Sequence, residues 1–537
     1  MRNQLLTTFL ALLLSSASTG LFAAESAGQA DLDKAFEARL TAQSLDALEK
    51  IVDLCRSAIK KGLDDENRKF AEQLLASSLF QRGEVLARGV LEATRPDPQL
   101  PQIRVEALSD LQEALKLDDD LPQAHVLVAR LLLLPGGDVK KARSELDAAL
   151  KSTKIAPEVR AEALLTRSLL REKPEDRLAD LDEAIRADGS SAQAYRLRAA
   201  LKLAMNKPED SVADFDAALK IDPKHAATHE ARGLALAAQK KWDEAKASLS
   251  KAAELFPQAA GALLQRGRIN MLAGDHRAAA ADADAVLKLV PEQPDALLLR
   301  SHAKFAGGDK EGALEDVNQV LDQVPNAPQG LRTRIAINLE LHNPKDAIDD
   351  LERLAKIEPE QTDILLQLAA LENSLKQNDR AVELLDGVLK KEPKNWRAMR
   401  IRADAQLGRG KHREAMQDYE AALALEPKDD GLLNNLAWLL ATSPNDGVRD
   451  GKRSIELAEA ACRVTEYKAP HILSTLAAAY AESGDFDAAR KWSKKAVEIA
   501  ADAEKETLRK ELESYEANKP WREALNESAE VPTTNRK

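Results

Sequence analysis

Aromatic residues make up only 4% of this 537-residue chain, and cysteine occurs twice. The apolar set still reaches 44%, so it must consist mainly of Ala, Leu, Val and Ile. That mixture suits helices and argues against sandwiches and barrels, which favour aromatic and β-branched residues. A basic excess is also missing. The 77 basic residues against 89 acidic ones give a net charge of −12, which offers no basic face to neutralise phosphates, so nucleic acid is not an expected partner. The sequence contains no GxxxxGK[ST], no GxSxG, no HExxH, no GxGxxG after a strand and no Cys/His cluster. No catalytic residue, cofactor, metal site or small-molecule substrate is therefore predicted.

Long apolar runs are scarce as well. The one near the N-terminus, Leu5 to Leu14, follows Arg2 and precedes small residues up to Ala23-Ala24. It is too short for a comfortable membrane span and reads as a cleavable signal segment over 1–24, followed by a linker over 25–34. No cysteine lies near the cleavage site, which argues against a lipid anchor. The expectation is export to a periplasmic or extracellular location, with retention as an uncleaved anchor as the alternative. Cys55 and Cys462 each lie on the apolar side of a helical pattern and are expected as buried thiols.

What the chain has in abundance is period. Pro223, Pro257, Pro291, Pro325, Pro359, Pro393 and Pro427 recur every 34 residues. Proline cannot continue a helix and pushes its predecessor out of the α region, so each closes a helix at one phase. With this proline as position 32, position 8 is small (Ala199, Gly233, Gly267, Ser301, Ala369, Ala403, Ala437), with Ile335 as the exception. Position 20 is small throughout: Ser211, Ala245, Ala279, Ala313, Ala347, Ala381, Ala415. Turn signals such as Gly274-Asp275, Gly308-Asp309 and Gly484-Asp485 lie between the halves. Each unit is a helix, a short turn and a helix.

These residues resemble the tetratricopeptide repeat family, whose unit has small residues near 8, Ala at 20, a large residue near 24 and Pro at 32. The resemblance implies an all-α fold, a right-handed superhelical solenoid of antiparallel helix pairs, in an exported bacterial multi-repeat protein. Regular repeats are expected over 122–501. Looser helical repeats over 35–121 precede them, and a polar capping helix over 502–517 and a disordered tail over 518–537 follow.

One regularity lies outside the consensus. Position 7 carries Arg198, Arg266, Arg300, Arg334 and Arg402, and position 23 carries Asp214, Asp282, Asp316, Asp350 and Asp418 in the same units. Where the arginine is replaced by Leu368, the aspartate is replaced by Leu384. This co-occurrence predicts an Arg–Asp contact inside each helix pair, with Arg300 closer to Asp316 than to Asp282. The planar guanidinium fork suits such a contact. An anion-binding arginine stripe is the alternative.

The resemblance also implies a concave face lined by first-helix positions 2, 5, 9 and 12. Candidate partner-binding residues are Leu264, Arg268, Met271, Leu298, His302, Phe305, Arg332, Leu366, Arg400, Asp404 and Trp438. Position 5 holds no lysine and position 9 no asparagine, a departure from the family's carboxylate-clamp variety. The apolar members fit either a peptide groove or packing between neighbouring first helices. His276, His342 and His412 fall in turns and are expected exposed. The expected function is a non-enzymatic exported scaffold for protein or peptide segments. Alternatives are an accessory factor for envelope assembly or secretion, and an enzyme with a site in the segment before Pro122 or in the enlarged turn Ser443–Asp450.

Overall fold

A computed structural model describes residues 26–258 and 260–523; the signal segment expected at 1–24 lies outside the described residues. The described residues form 27 helices and no strand. They divide into two compact units, one ending at Ile269 and one beginning at Asn270. Within each, consecutive helices pair and the pairs stack on their neighbours.

The pair Ala226–Ala238 and Trp242–Leu255 shows why the repeat folds this way. Alanine and leucine dominate both helices, and Leu236, Ala245, Leu249 and Ala252 form the buried seam. A Cβ on Gly233 would stand 2.7 Å from Leu249 Cγ, so position 8 must be small for the helices to approach. At the same position of a later repeat, buried Ser301 keeps its hydroxyl satisfied by donating to Ala313 O at 2.8 Å. The turn between the paired helices reverses through a left-handed residue at position 15. Glycine takes it in Gly274, Gly308, Gly410 and Gly484, whereas Asn206, Lys240, His342 and Lys376 adopt it at φ 59–62°. Side-chain caps start the following helices, as when Asp275 accepts from Ala278 N and Asp309 from Gly312 N.

The first repeats are looser. The linker expected over 25–34 gives way to a helix from Gln29, because Leu32 and Ala35 are buried against Ile51, Cys55 and Leu75. The 27-residue helix Asp65–Leu91 pairs with Leu100–Leu117. Both cysteines are free and buried, and burial pushes the thiols up to about 12 at Cys55 and about 11 at Cys462. Neither is a poised nucleophile.

The chain's other end is more ordered than a capping helix with a free tail. The helix Asp502–Glu516 buries Leu508 and Tyr515 in the last core. Residues 518–523 then turn back onto the helix Asp430–Thr442, and Trp521 packs into that core. Arg522 donates to Ala441 O at 3.3 Å and pairs with Glu482 at 2.5 Å, while Glu523 N donates to Thr442 O at 3.1 Å. The expectation of disorder from 518 onward does not describe these six residues. They carry the hydrogen-bonding partners that the free carbonyls at the end of the Asp430–Thr442 helix need. The tail beyond 523 lies outside the described residues.

Candidate functional site: the first-helix face and its C-terminal cavity

The Arg–Asp pairs lie inside the helix pairs. Arg300 donates from Nε and Nη2 to Asp316 at 2.8 and 2.6 Å. Arg198 meets Asp214, Arg334 meets Asp350 and Arg402 meets Asp418 with the same fork, at 2.5–2.9 Å. Arg266 donates to Ser250 at 2.7 Å, and Asp282 accepts from Asn270 at 2.9 Å. Each aspartate is almost fully buried, and its neighbour's charge replaces the lost water. The pairing with a carboxylate holds Arg198, Arg300 and Arg402 well above the ordinary arginine value.

These arginines also extend Nη1 to the preceding repeat. Arg300 Nη1 reaches Asp284 at 2.7 Å, Arg198 reaches Asp182 at 2.7 Å and Arg402 reaches Asp386 at 2.6 Å. Arg232, which has Ser248 within its own pair at 3.3 Å, turns its Nε to Asp216 at 2.6 Å. The recurrence of Asp182, Asp216, Asp284 and Asp386 at position 25 was visible in the sequence. Its meaning required knowing that position 25 faces the next repeat. With Nε, Nη1 and Nη2 each donating to a carboxylate of the array, the charge of Arg198, Arg300 and Arg402 is neutralised internally.

The candidate partner-binding residues fall into three groups. Leu264 and Leu366 are buried, at 8% and 6% exposure, and belong to the packing between helices. Leu298 and Phe305 are half-buried against the cluster of Ala313, Leu331 and Ile335, and Met271 is half-buried. Arg268 and His302 are exposed. Thr333 donates its hydroxyl to Gln329 O at 2.8 Å and therefore accepts from His302 Nε2 at 2.8 Å, which fixes the imidazole tautomer. Arg332 pairs with Glu358 and donates to Gln361 at 3.0 Å. Arg400 lies over the Trp396 ring at 5.8 Å.

Asp404 and Trp438 form the third group. They line a cavity of about 570 Å³ between the first helices Trp396–Gly408, Asp430–Thr442 and Pro470–Glu482 and the helix Asp502–Glu516. The Tyr419 hydroxyl donates to Asp404 from the second helix His412–Leu425. Glu511, 5% exposed, accepts from the Ser474 hydroxyl. Burial pushes the carboxyls of both Asp404 and Glu511 above the ordinary range. Trp438 Nε1 donates to Glu523 at 2.6 Å. Asn434 falls at position 5 of this face, whereas sequence reasoning missed Tyr419, Ser474 and Glu511 as its neighbours, because the wall they complete is closed by a helix outside the regular repeat.

The remaining histidines do not assemble a catalytic or metal site. His225 Nδ1 caps its helix at Thr228 N, and His229 bonds to Pro223 O at 2.9 Å. His342 is exposed, as expected. His412 is buried instead, because the enlarged turn covers it: Ser443 Oγ lies 3.2 Å from its Nδ1. Burial pushes this imidazole below its ordinary pKa. The turn itself is packed by Val448 and pinned by Arg449, which donates to Glu482 at 2.9 Å and to Ser443 O at 2.7 Å. Among the described residues no group of three His, Cys, Asp or Glu could hold a metal ion, and no helix is long and apolar enough to cross a membrane.

Helix pairs of constant phase with small residues at the crossing points define a helical repeat protein. The chain carries tetratricopeptide repeats: models of that family match residues 197–260, 231–276, 264–328, 374–430 and 470–502. No curated protein matches the chain. Solved structures similar to it include residues 41 to the end of MamA from Desulfovibrio magneticus RS-1, at 19% identity and TM-score 0.30, covering 32% of this chain and 96% of that one. PilF from Pseudomonas aeruginosa matches at 19% identity and TM-score 0.33, covering 38% and 94%. Yeast Tom70 matches at 19% identity and TM-score 0.33, covering 82% and 96%.

Proposed function

We propose that this chain is a non-enzymatic scaffold that works after export and holds protein segments along the first-helix face of its repeats. The observation that carries the reading is the division of labour in each repeat. Second helices and position 7 are consumed by internal packing and Arg–Asp pairing. First-helix positions such as those of Arg268, His302 and Trp438 present polar and aromatic groups at the surface. Binding energy in such a surface comes from a few aromatic or arginine anchors, with polar groups setting orientation. Export is proposed from the Met1–Ala24 segment.

The test is crosslinking with mass spectrometry in intact cells, comparing wild type with His302→Glu and Phe305→Glu. The captured segments should change with both variants while circular dichroism stays unchanged. An identical set of captured segments would remove the scaffold role of this face. Cell fractionation with N-terminal sequencing of the mature chain tests export, with a start near Glu25 as the expected result.

A further inference from the structure

The C-terminal cavity has a chemical bias that neither the repeat pattern nor the packing requires. Three carboxylates line it, from Asp404, Glu504 and Glu511, and no lysine or arginine does. Among the described residues, none of these three carboxylates has a cation within 4.0 Å, unlike the paired aspartates of the regular repeats. Asp404 uses only one oxygen, Oδ1, to accept from Tyr419 and from Asn435 at 3.5 Å. Glu511 is nine-tenths buried and has one hydrogen-bond donor, the Ser474 hydroxyl. The buried Asn434 Oδ1 has no hydrogen-bond partner among the described residues. Arg400, whose charge acts on Asp404, lies over the Trp396 ring and makes no ion pair with that carboxylate. The cavity is therefore acidic: Asn435, His471, Ser474, Thr475 and Thr507 bring neutral donor groups to its lining, but no lysine or arginine balances the carboxylates. A buried carboxylate without a charged partner is costly and is retained only where something compensates it.

The walls add an orientation. Trp438 brings aromatic surface beside these acceptors, backed by the buried Tyr419. A planar cation with several N–H donors satisfies both features: its face lies on an aromatic ring and its edge forks to carboxylates. The volume of about 570 Å³ falls within the usual range for ligand sites and exceeds a single side chain, leaving room for flanking backbone.

We propose that this cavity is a binding site for an arginine side chain presented by an extended polypeptide segment. Asp404 and Glu511 accept from the guanidinium edge, the free Asn434 Oδ1 takes a further N–H, and Trp438 stacks on the face. The inference rests on the reading of the first-helix face as a surface for protein segments, and it names the chemistry of one subsite. Lysine fits less well, because an ammonium ion neither stacks nor forks.

The test is isothermal titration of the full chain with the capped tripeptide acetyl-Gly-Arg-Gly-amide. The controls are the same peptide carrying lysine or the neutral isostere citrulline. The arginine peptide should bind, the lysine peptide severalfold more weakly, and the citrulline peptide at least tenfold more weakly. Asp404→Asn and Glu511→Gln should each weaken arginine binding at least tenfold with unchanged circular dichroism. If one of them fails to fold, the other decides. Equal binding of the arginine and citrulline peptides, no binding of the arginine peptide, or full binding by both variants overturns the proposal. Should the arginine peptide fail while His302→Glu still alters the captured partners, only this subsite is lost. Should both experiments fail, the scaffold reading falls with it.

Discussion

The regular repeats and the last two repeats solve the same packing problem with different chemistry. From Arg198 to Asp418, most pairs place an arginine and an aspartate at their crossing, with a second acceptor drawn from the preceding repeat. After Asp418 the same crossings carry Leu436 with Leu457 and Leu476 with Trp492, and the core there is apolar and aromatic, with Tyr467 stacked on Trp492 at 5.5 Å. Charge is balanced inside the first kind of repeat. At the C-terminal end Glu482 is still paired, with Arg449 and Arg522, whereas Asp404 of the last charged repeat and Glu504 and Glu511 of the final helix line a cavity that holds no lysine or arginine. Buried charge is thus structural where it is paired, and where it is unpaired the arginine ligand proposed above supplies the partner. Leu368 and Leu384 show that the leucine solution also works amid the charged one, since Leu368 is buried and Leu384 packs on the neighbouring clusters.

Substitutions can break this contrast. The largest effect is expected from Arg300→Ala, which strips the buried Asp316 of its bidentate partner and leaves it only Lys304 at 2.9 Å. Removing one member of such a pair costs about 3 kcal/mol. The double change Arg300→Leu with Asp316→Leu copies the natural leucine crossing and should recover most of that loss, to within ~1 kcal/mol of wild type. Urea unfolding followed by hydrogen exchange in this repeat measures both, and a double variant as weak as the single one would show that the two crossings are not interchangeable. At the other end, Tyr419→Phe removes the hydroxyl that donates to Asp404 and should cost about 1.5–2 kcal/mol. The same unfolding measurement checks it, and a neutral result would mean that Asp404 is already satisfied elsewhere.

Two smaller effects sharpen the comparison. His342→Gly relieves a left-handed residue at φ 59° in the turn of a regular repeat and should stabilise it by about 1 kcal/mol, read as a raised urea midpoint. Glu511→Gln is most informative in its sign. Burial raises the native carboxyl above its ordinary value of about 4.5, so the native state holds this proton more tightly than the unfolded chain does. That contribution is present below the unfolded value and is lost as pH rises through the native one. The variant should therefore match wild type at pH 4 and exceed its stability at pH 7, while losing affinity for the arginine peptide. Matching pH profiles for the two proteins would mean that Glu511 is already compensated and the cavity is purely structural.

Much of the repeat interior could be read in the residues themselves. The prolines, the small residues at positions 8 and 20, and the Arg–Asp co-occurrence describe contacts made within about one repeat. A constant spacing of 16 residues between Arg300 and Asp316 becomes a constant geometry once both helices form. The face of each first helix was harder. Leu264 and Leu366 share position 5 with Arg332 and Arg400, yet the two leucines are buried in interhelical packing while Arg332 pairs with Glu358. His412 was misread because the turn that buries it comes 31 residues later.

The sequence by itself determined the period, the helix pairs and the internal pairing, because those follow from interactions that every repeat makes again with its neighbours. Only the tertiary structure decided where the periodicity ends and what its last helices enclose. Ser474 meets Glu511 across 37 positions, and Trp438 meets Glu523 across 85. Such contacts occur once and leave no recurring mark in the residues. They depend on the last helix and the segment after it folding back onto earlier helices, which hydrophobic burial of Leu508, Tyr515 and Trp521 drives.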